Sequence, residues 1–376
     1  MRILFVTHST LGEGGSLCQT ATLGTVGALS KLGWDVTIVS TSKSFKDGKN
    51  IINGFDWHHV PLRKIPGMQS FLIERSSRNV VRKVLAGSTF DVAIINWSIC
   101  RTVIPIIKDY NFPIIVDDRS PPVHESLIGK LQWLHYHFAW KYASTKGDGF
   151  SFNSLALKDM ITNKYGLKKY TCFYPSATEP DKYTKSQLIM GDTMTLVYHG
   201  LMDKERSVFE IFEAAKKVLD EGVKVKLIMF GKGNDIGRLT KLSEENEWFE
   251  LLPPCTPDKV PSRLSCAHIG ILPLPDKYQW KFSSPLKLFE YAAAGLNVIA
   301  TDIQCHRAIG ARKWLKLIKT DQISTNIANE VLSIIKDREW EVNSKIAYED
   351  AKNEFSWDNS VKSLNSLIHK VLNSTH

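Results

Sequence analysis

The sequence predicts an α/β protein built as two doubly wound, Rossmann-like domains facing a central cleft. Short apolar strands alternate with helical apolar periods, and the plan starts twice. The polar, aperiodic segment Asp181–Asp192 lies between the two starts and reads as a linker. Strands alternating with helices argue for parallel sheets covered on both faces. Ligands in this architecture bind outside the carboxyl ends of the strands. The linker divides the chain near residue 180.

In the first half, Ile3–Thr7 is a short apolar strand. A glycine-rich stretch follows, then a helical period through Leu23, Val26, Leu29 and Leu32 that stops at Gly33. Asp35–Ser40 is the next strand, which completes a βαβ unit. Further strands are expected at Asp91–Ile95, Pro113–Val116, Gly149–Phe152 and Thr171–Tyr174. The second half opens with Thr195–His199, ending in Gly200. Val208, Phe209, Ile211, Phe212, Ala215, Val218 and Leu219 trace one helix face, closed by Gly222. Strands are expected at Val223–Phe230, His268–Leu272 and Asn297–Ala300.

The 376 residues are 43 % hydrophobic and 23 % charged, an ordinary globular composition that excludes collagen, coiled coil and wholesale disorder. The longest apolar runs, such as Val103–Ile107, fall far short of the roughly 20 residues of a membrane span. The start, Met1–Ser9, is too short for a signal-peptide core, and the six cysteines form no CxxC. A cytoplasmic protein with reduced cysteines is therefore expected. The net charge of +9 is one-sided. Residues 1–180 hold 21 Lys and Arg against 13 Asp and Glu, whereas residues 181–376 hold 27 against 26. An anionic partner is expected for the first half. Lys43, Lys46, Lys49, Arg63, Lys64, Arg75, Arg78, Arg82 and Lys83 carry much of this excess, among Phe45, Phe55, Trp57, Met68, Phe71 and Leu72. Basic residues mixed with bulky apolar ones suit an anionic membrane surface. The stretch Leu131–Lys141, LQWLHYHFAWK, is rich in interfacial aromatics, although a core helix with edge aromatics has the same composition. No nucleic-acid recognition motif is present, and none is expected as a partner.

The first loop, Gly12-Glu13-Gly14-Gly15-Ser16, precedes a helix, so its backbone amides can approach an anion. Its spacing is neither GxGxxG nor GxxxxGK[ST]. The second strand ends in Val39-Ser40-Thr41, without the acidic residue that holds an NAD ribose. A plain turn and a cradle for part of a substrate both remain readings of this loop.

Two helix starts in the second half carry cations against the helix dipole, which a bound anion would reverse. In SSPLKLFEYAAAG, Ser284 reads as N-cap, Pro285 as the first helical residue and Gly295 as the stop, so Lys287 falls in the first turn. Lys204 and Arg206 stand between the strand ending at Gly200 and the helix beginning near Ser207. Two cationic junctions suggest a diphosphate, with Arg206 suited to bidentate contact. Glu290, about one and a half turns into the Ser284 helix, is a fixed carboxylate suited to the vicinal hydroxyls of a ribose.

These residues resemble a GT-B glycosyltransferase of the large retaining family 4 type. Ser283–Asp302, SSPLKLFEYAAAGLNVIATD, resembles that family's donor-site segment. Tyr198-His199-Gly200 with Arg206 resembles its phosphate segment, and Pro254–Pro273 its base-binding loop and following strand. The opening THSTLGEGGS resembles its N-terminal glycine loop. Phe355-Ser356-Trp357 resembles the motif before a last helix that crosses back to the N-terminal domain. The resemblance implies an acceptor domain over 1–180, a nucleotide-sugar donor domain over 181–355 and a crossing helix over 356–376. It implies that Glu290 binds ribose hydroxyls, and that Arg206 and Lys287 bind the diphosphate with backbone amides of Ser284, Pro285 and Leu286 nearby. Gly14 and Gly15 would approach the sugar phosphate, and Gly200 and Gly231 would line the donor. Phe230–Gly233 and Pro254–Thr256 would border the base.

Three positions depart from the family pattern. Phe282 stands eight residues before Glu290, where the family has a first Glu, and Leu201 replaces an Arg after Gly200. Where the family often has a His, the chain has Asp117-Asp118-Arg119-Ser120, with His124 beyond; Asp118 and Arg119 are the catalytic candidates there. Adjacent strand residues point to opposite faces, so Asp117 and Asp118 are not expected to share a metal. The expected activity is metal-independent, retaining transfer of a hexose from a UDP- or GDP-sugar, with no cofactor. Arg206 and Lys287 would stabilise the leaving diphosphate. The expected acceptor is a glycan or lipid-linked molecule of cell-surface polysaccharide synthesis. A nucleotide-sugar-binding protein without transfer activity and a GT-B-like epimerase are the alternatives.

Overall fold

The structure, a computed structural model, describes residues 1–12, 17–42, 49–61, 69–122, 127–184, 193–338 and 340–374. The chain forms two compact units, Met1–Ser176 with Trp357–His376, and Ala177–Ser356.

In chain order, unit 1 runs β1 (Arg2–Leu11), α1 (Leu17–Lys31), β2 (Asp35–Ser42), β3 (Lys49–Ile52), β4 (Phe55–Pro61), α2 (Gln69–Gly87) and β5 (Val92–Asn96). It continues with α3 (Cys100–Lys108), β6 (Ile114–Asp118), α4 (Leu127–Lys146), β7 (Gly149–Phe152), α5 (Leu155–Tyr165) and β8 (Tyr170–Phe173). Its eight strands lie in the order β3-β4-β2-β1-β5-β6-β7-β8. All pairs are parallel except β3 with β4. The central strands are buried on both faces, as parallel strands under helices must be: β5 and β6 have no exposed residue.

The β3–β4 hairpin corrects the surface reading of this region. Asn53 (φ 49°) and Gly54 (φ 85°) form its two-residue turn, between the paired Ile52 and Phe55. Positive φ at both central residues is what such a turn requires, and Asn-Gly supplies it at low strain. Trp57, expected among interfacial aromatics, is buried on β4 and donates its indole N–H to Ser40 Oγ at 2.8 Å. Lys43, Phe45, Lys46, Arg63, Lys64 and Met68 lie outside the described residues, as do Gly14, Gly15 and His124, and the Phe71 side chain is likewise not described.

Unit 2 runs β9 (Met194–Leu201), α6 (Val208–Asp220), β10 (Val225–Lys232), α7 (Ile236–Glu245), β11 (Phe249–Leu252), α8 (Val260–Leu264) and β12 (Ile269–Leu272). Then come α9 (Leu286–Ala293), β13 (Asn297–Thr301), α10 (Gln304–Arg307), β14 (Leu315–Ile318), α11 (Ile323–Asp337) and α12 (Trp340–Asn353). Its six strands, in the order β11-β10-β9-β12-β13-β14, are all parallel. One apolar layer on this sheet is built from α6 and α11 residues such as Ile211, Phe212, Ala215, Val218, Ile327 and Val331. The other holds α9 and α12 residues such as Leu288, Tyr291, Ala292, Ala347 and Ala351. Tyr183, inside the segment read as a linker, is buried in that second layer. Residues 185–192 of the segment are outside the described residues.

The last helix, α13 (Trp357–Asn373), packs within unit 1. Gly24 on α1 makes room for the Trp357 indole, which a Cβ at that position would overlap. Lys31 and Asp358 form an ion pair at 2.9 Å across the same contact.

Candidate functional site

The carboxyl ends of β9 and β10, together with the start of α9, bring together most of the residues expected in the second half. Gly200 (φ 121°) and Gly231 (φ 152°) are register partners on β9 and β10. A Cβ at Gly231 would overlap the Gly200 carbonyl, so only glycine allows the two backbones to meet this closely. A Cβ at Gly200 would lie 2.7 Å from Lys287 Nζ. The bare Gly200 backbone is therefore what admits the Lys287 ammonium beside the end of β9.

Lys287 comes from the first turn of α9, as expected, but the start of that helix differs by one residue. Pro285 has extended backbone (ψ 103°) and caps the helix, which begins at Leu286 instead of Pro285. The stop is as expected in kind: Ala294 ends the helix and Gly295 follows with φ 69°. Lys287 Nζ lies 5.2 Å from the Tyr198 ring centroid, and Tyr198 donates its hydroxyl to the Leu201 carbonyl at 2.9 Å. Burial and then the Arg206 charge push the Lys287 pKa down to about 8, with Glu290 acting the other way.

Arg206 ends a short turn, Lys204–Arg206. Ser207 then takes left-handed backbone (φ 55°) before α6 begins. The Asp203 and Asp235 carboxylates tie this junction to the β10–α7 loop, accepting from the amides of Asn234 and Lys204 at 2.7 Å each. The Arg206 guanidinium lies over the Trp280 ring at 4.1 Å, and burial lowers its pKa. Lys204 is exposed to solvent. The two cations therefore differ in kind: Arg206 is shelved on an aromatic face, whereas Lys204 is a surface charge.

Glu290 is buried, three residues along α9 from Lys287. Its Oε2 lies 3.2 Å from His199 Nε2 on β9, yet neither atom makes an aligned hydrogen bond. The His199 ring stacks on Phe230, with centroids 5.2 Å apart and planes 15° apart, and its edge meets Tyr291. The Tyr291 hydroxyl accepts from the His199 amide at 3.3 Å. Gly270 on β12 leaves space for the Tyr291 ring that a Cβ would take. A buried carboxylate oxygen without a donor is rare in a native fold and points to a ligand donor. The Arg263 guanidinium also lies 5.1 Å from the Phe230 ring and donates to the Pro253 carbonyl at 2.6 Å.

His199 and Trp280 were not singled out in the sequence. His199 stood inside a quoted motif, and the signal that marks it is a polar ring at the last buried position of an apolar strand. Trp280 carries no such signal, because its position follows from the fold of the irregular segment before α9. Phe282, in place of a first Glu, is buried, and Leu201 is 40 % exposed.

Unit 1 places Asp117 and Asp118 at the end of β6 with side chains on separate partners. Asp117 Oδ1 accepts from Ser151 Oγ (2.8 Å) and from the Tyr174 hydroxyl (2.9 Å). Asp118 Oδ2 accepts from the Tyr136 hydroxyl (2.6 Å) and Trp140 Nε1 (2.9 Å), and Oδ1 from the Ser120 amide (3.1 Å). Burial raises both, Asp118 to about 7. Asp118 is fully buried, and its hydrogen bonds tie the end of β6 to α4. Arg119 donates through Nη1 to the Tyr174 carbonyl at 2.7 Å and lies over the Tyr174 ring, while its Nη2 is buried without a hydrogen-bond partner. Among the described residues no group of three or more His, Cys, Asp and Glu is arranged to hold a metal ion.

This fold has close structural relatives. Sucrose-phosphate synthase from Thermosynechococcus elongatus superposes with a TM-score of 0.77 at 15 % identity, covering 99 % of each chain. Anabaena HepE in complex with UDP gives 0.69 at 13 % identity over the whole of both chains. The catalytic domain of starch synthase IV from Arabidopsis thaliana, bound to ADP and acarbose, gives 0.71 at 11 % identity over 99 % of each. The chain thus has the GT-B fold of these glycosyltransferases. Residues 193–337, most of unit 2, match the model of the family described as Glycosyl transferases group 1. No curated protein matches the chain.

Proposed function

We propose that the protein is a glycosyltransferase that moves a hexose from a nucleoside diphosphate sugar to a glycan or lipid-linked acceptor. The observation that carries this reading is the cluster at the start of α9: Lys287 over the bare Gly200 backbone, Arg206 on Trp280, and the donor-less Glu290 oxygen. Two cations held near one another repel, and a diphosphate relieves that repulsion. The same charges stabilise the diphosphate as it leaves, where negative charge grows in the transition state. Glu290 then accepts from ribose hydroxyls, and Phe230 with Arg263 borders the base. The family match over residues 193–337 supports the same assignment, and relatives of this fold are described with UDP or ADP bound.

The reaction is read as metal-independent because Arg206 and Lys287 supply the positive charge from the protein itself. No cofactor is assigned; the nucleotide sugar, UDP- or GDP-linked, is the substrate. Retention of configuration rests on the family resemblance alone. In unit 1, Arg119 is the candidate for contact with the sugar or acceptor through its unpaired Nη2, and Asp118 holds the strand end that carries it. The one-sided basic charge supports an anionic membrane surface on the cytoplasmic face as the place of work. No helix among the described residues is long and apolar enough to cross a membrane.

A second reading is favoured by Phe282. An apolar, buried residue where a polar sugar contact is expected suits a protein that binds a nucleotide sugar without transferring it. One experiment separates the two. The full chain is tested with UDP-, GDP-, ADP- and dTDP-sugars for thermal stabilisation and for release of the nucleoside diphosphate, with and without EDTA. Stabilisation by one nucleotide, lost in Glu290→Ala, with EDTA-resistant release supports the transferase. Stabilisation without release, with acceptor extracts present, supports the binding protein. No response to any nucleotide overturns both.

A further inference from the structure

We propose that α2, α3 and α4 of unit 1 form a docking face for an anionic lipid bilayer, with arginines seating headgroup phosphates and α4 side chains entering the interface. The proposal deepens the reading of a lipid-linked acceptor and rests on it. Together these three helices hold nine Lys and Arg and one acid, Glu74.

That acid is mostly covered, at the wall of the groove the arginines line. Glu74 lies 3.5 Å from His135 Nε2 and within the field of Arg101, with only 16 % of its side chain exposed. The Glu74–His135 contact also fixes α2 beside α4. On α2, Arg75, Arg78 and Arg82 are spaced three and four residues apart and are exposed, so they form one stripe. They line a groove of about 410 Å³ with Glu74, Asn79 and Thr102. Guanidinium groups in such a groove match phosphate in charge and geometry.

On α4, Leu131, Leu134 and Phe138 repeat the same spacing and are 66 %, 51 % and 49 % exposed. Lys130 and Lys141 flank them, also exposed. Large apolar side chains this exposed, on a helix without acids, are costly in water and gain by entering an acyl boundary. A nucleic acid would use the arginines and leave the leucines wet. A bilayer with anionic headgroups uses both, which decides the occupant. Trp133 and Tyr136, expected at the interface from composition, instead turn toward the protein: Tyr136 is buried and Trp133 packs edge-on against it at 5.4 Å.

The test is co-sedimentation of the full chain with phosphatidylcholine vesicles, with and without phosphatidylglycerol, at low and high salt. Two variants are compared with the parent: Arg75→Gln/Arg78→Gln/Arg82→Gln, and Leu131→Ser/Leu134→Ser/Phe138→Ser. All six side chains are exposed, so unchanged thermal midpoints are expected and are measured first. The parent should sediment with phosphatidylglycerol vesicles only. The arginine variant should bind at least about tenfold more weakly at low salt. The apolar variant should lose the fraction that survives high salt. No binding by the parent, binding by either variant equal to the parent, or equal binding to both vesicle types overturns the proposal. Nucleotide binding, measured in parallel without vesicles, keeps the donor reading separate. A chain that binds UDP and no vesicle loses the docking face alone, and one that binds vesicles and no nucleotide loses the donor site alone.

Discussion

His199 Nε2 and Glu290 Oε2 stand 3.2 Å apart at the carboxyl end of β9, one on a strand and the other on a helix, and the imidazole is fixed by its stack on Phe230. The ring therefore sets where the carboxylate rests. Glu290→Gln should abolish most of the preference for a ribose over a 2′-deoxyribose nucleoside diphosphate. His199→Phe, which keeps the stack and removes Nε2, should weaken the same discrimination, since no polar group on β9 then faces the carboxylate. Calorimetric titration with the two nucleotides reads this out. Equal affinities in the parent would end the ribose assignment.

Lys287 gives the proposed donor site a pH dependence. Its folded pKa is lowered to about 8 by burial and by Arg206, below the ordinary lysine value of 10.5. Below pH 8 the free site is charged and ready for a diphosphate. Above it, binding must take up a proton, so affinity should fall by up to about tenfold per pH unit. The folding contribution has the opposite slope. Between about 8 and 10.5 the unfolded chain binds more protons at this residue, so its contribution to stability rises with pH there. Lys287→Met should bind weakly at pH 7 and lose the fall in affinity above pH 8. A parent affinity that is flat from pH 7 to 9.5 would contradict this.

The glycine pair at the strand ends makes a stability prediction with an internal contrast. Gly231→Ala places a Cβ on the Gly200 carbonyl at φ 152°, and should cost about 1–3 kcal/mol or more. Gly27→Ala lies in α1 with open space around it, and should stabilise by about 0.5–1 kcal/mol. Urea unfolding of the full chain should shift down for the first variant and up for the second.

The parallel sheets are legible because short, continuous apolar runs recur between amphipathic helices. The strands at Ile3–Thr7, Asp91–Ile95 and Asn297–Ala300 were all readable from that pattern. The α9 cations were legible because proline, serine and glycine mark helix ends locally. The β3–β4 hairpin also has a local signal, Asn53-Gly54, but it stands among basic residues whose composition equally suits a surface. The His199–Glu290 contact joins residues 91 positions apart, and strand order alone brings them together. No local pattern encodes such a contact. Asp118 has the same origin: its partners, Tyr136 and Trp140, sit on a helix whose composition reads equally well as interface or core.

Asp118 itself supplies the last prediction. Its folded pKa, raised to about 7 by burial, exceeds the 3.8 of a free side chain. The native state therefore binds more protons between about pH 4 and 7, and the contribution of this residue to stability falls as pH rises through that window. Asn has the same shape and no charge to desolvate, and its Oδ1 still accepts from Tyr136 and Trp140. Asp118→Asn should remove that part of the pH slope and be no less stable than the parent at pH 8. Asp118→Ala leaves two buried donors without an acceptor, at about 1–3 kcal/mol each. Thermal midpoints of the full chain from pH 4.5 to 8 separate these outcomes. If Asp118→Asn instead destabilises at pH 8 as much as Asp118→Ala, the carboxylate is needed as a charge.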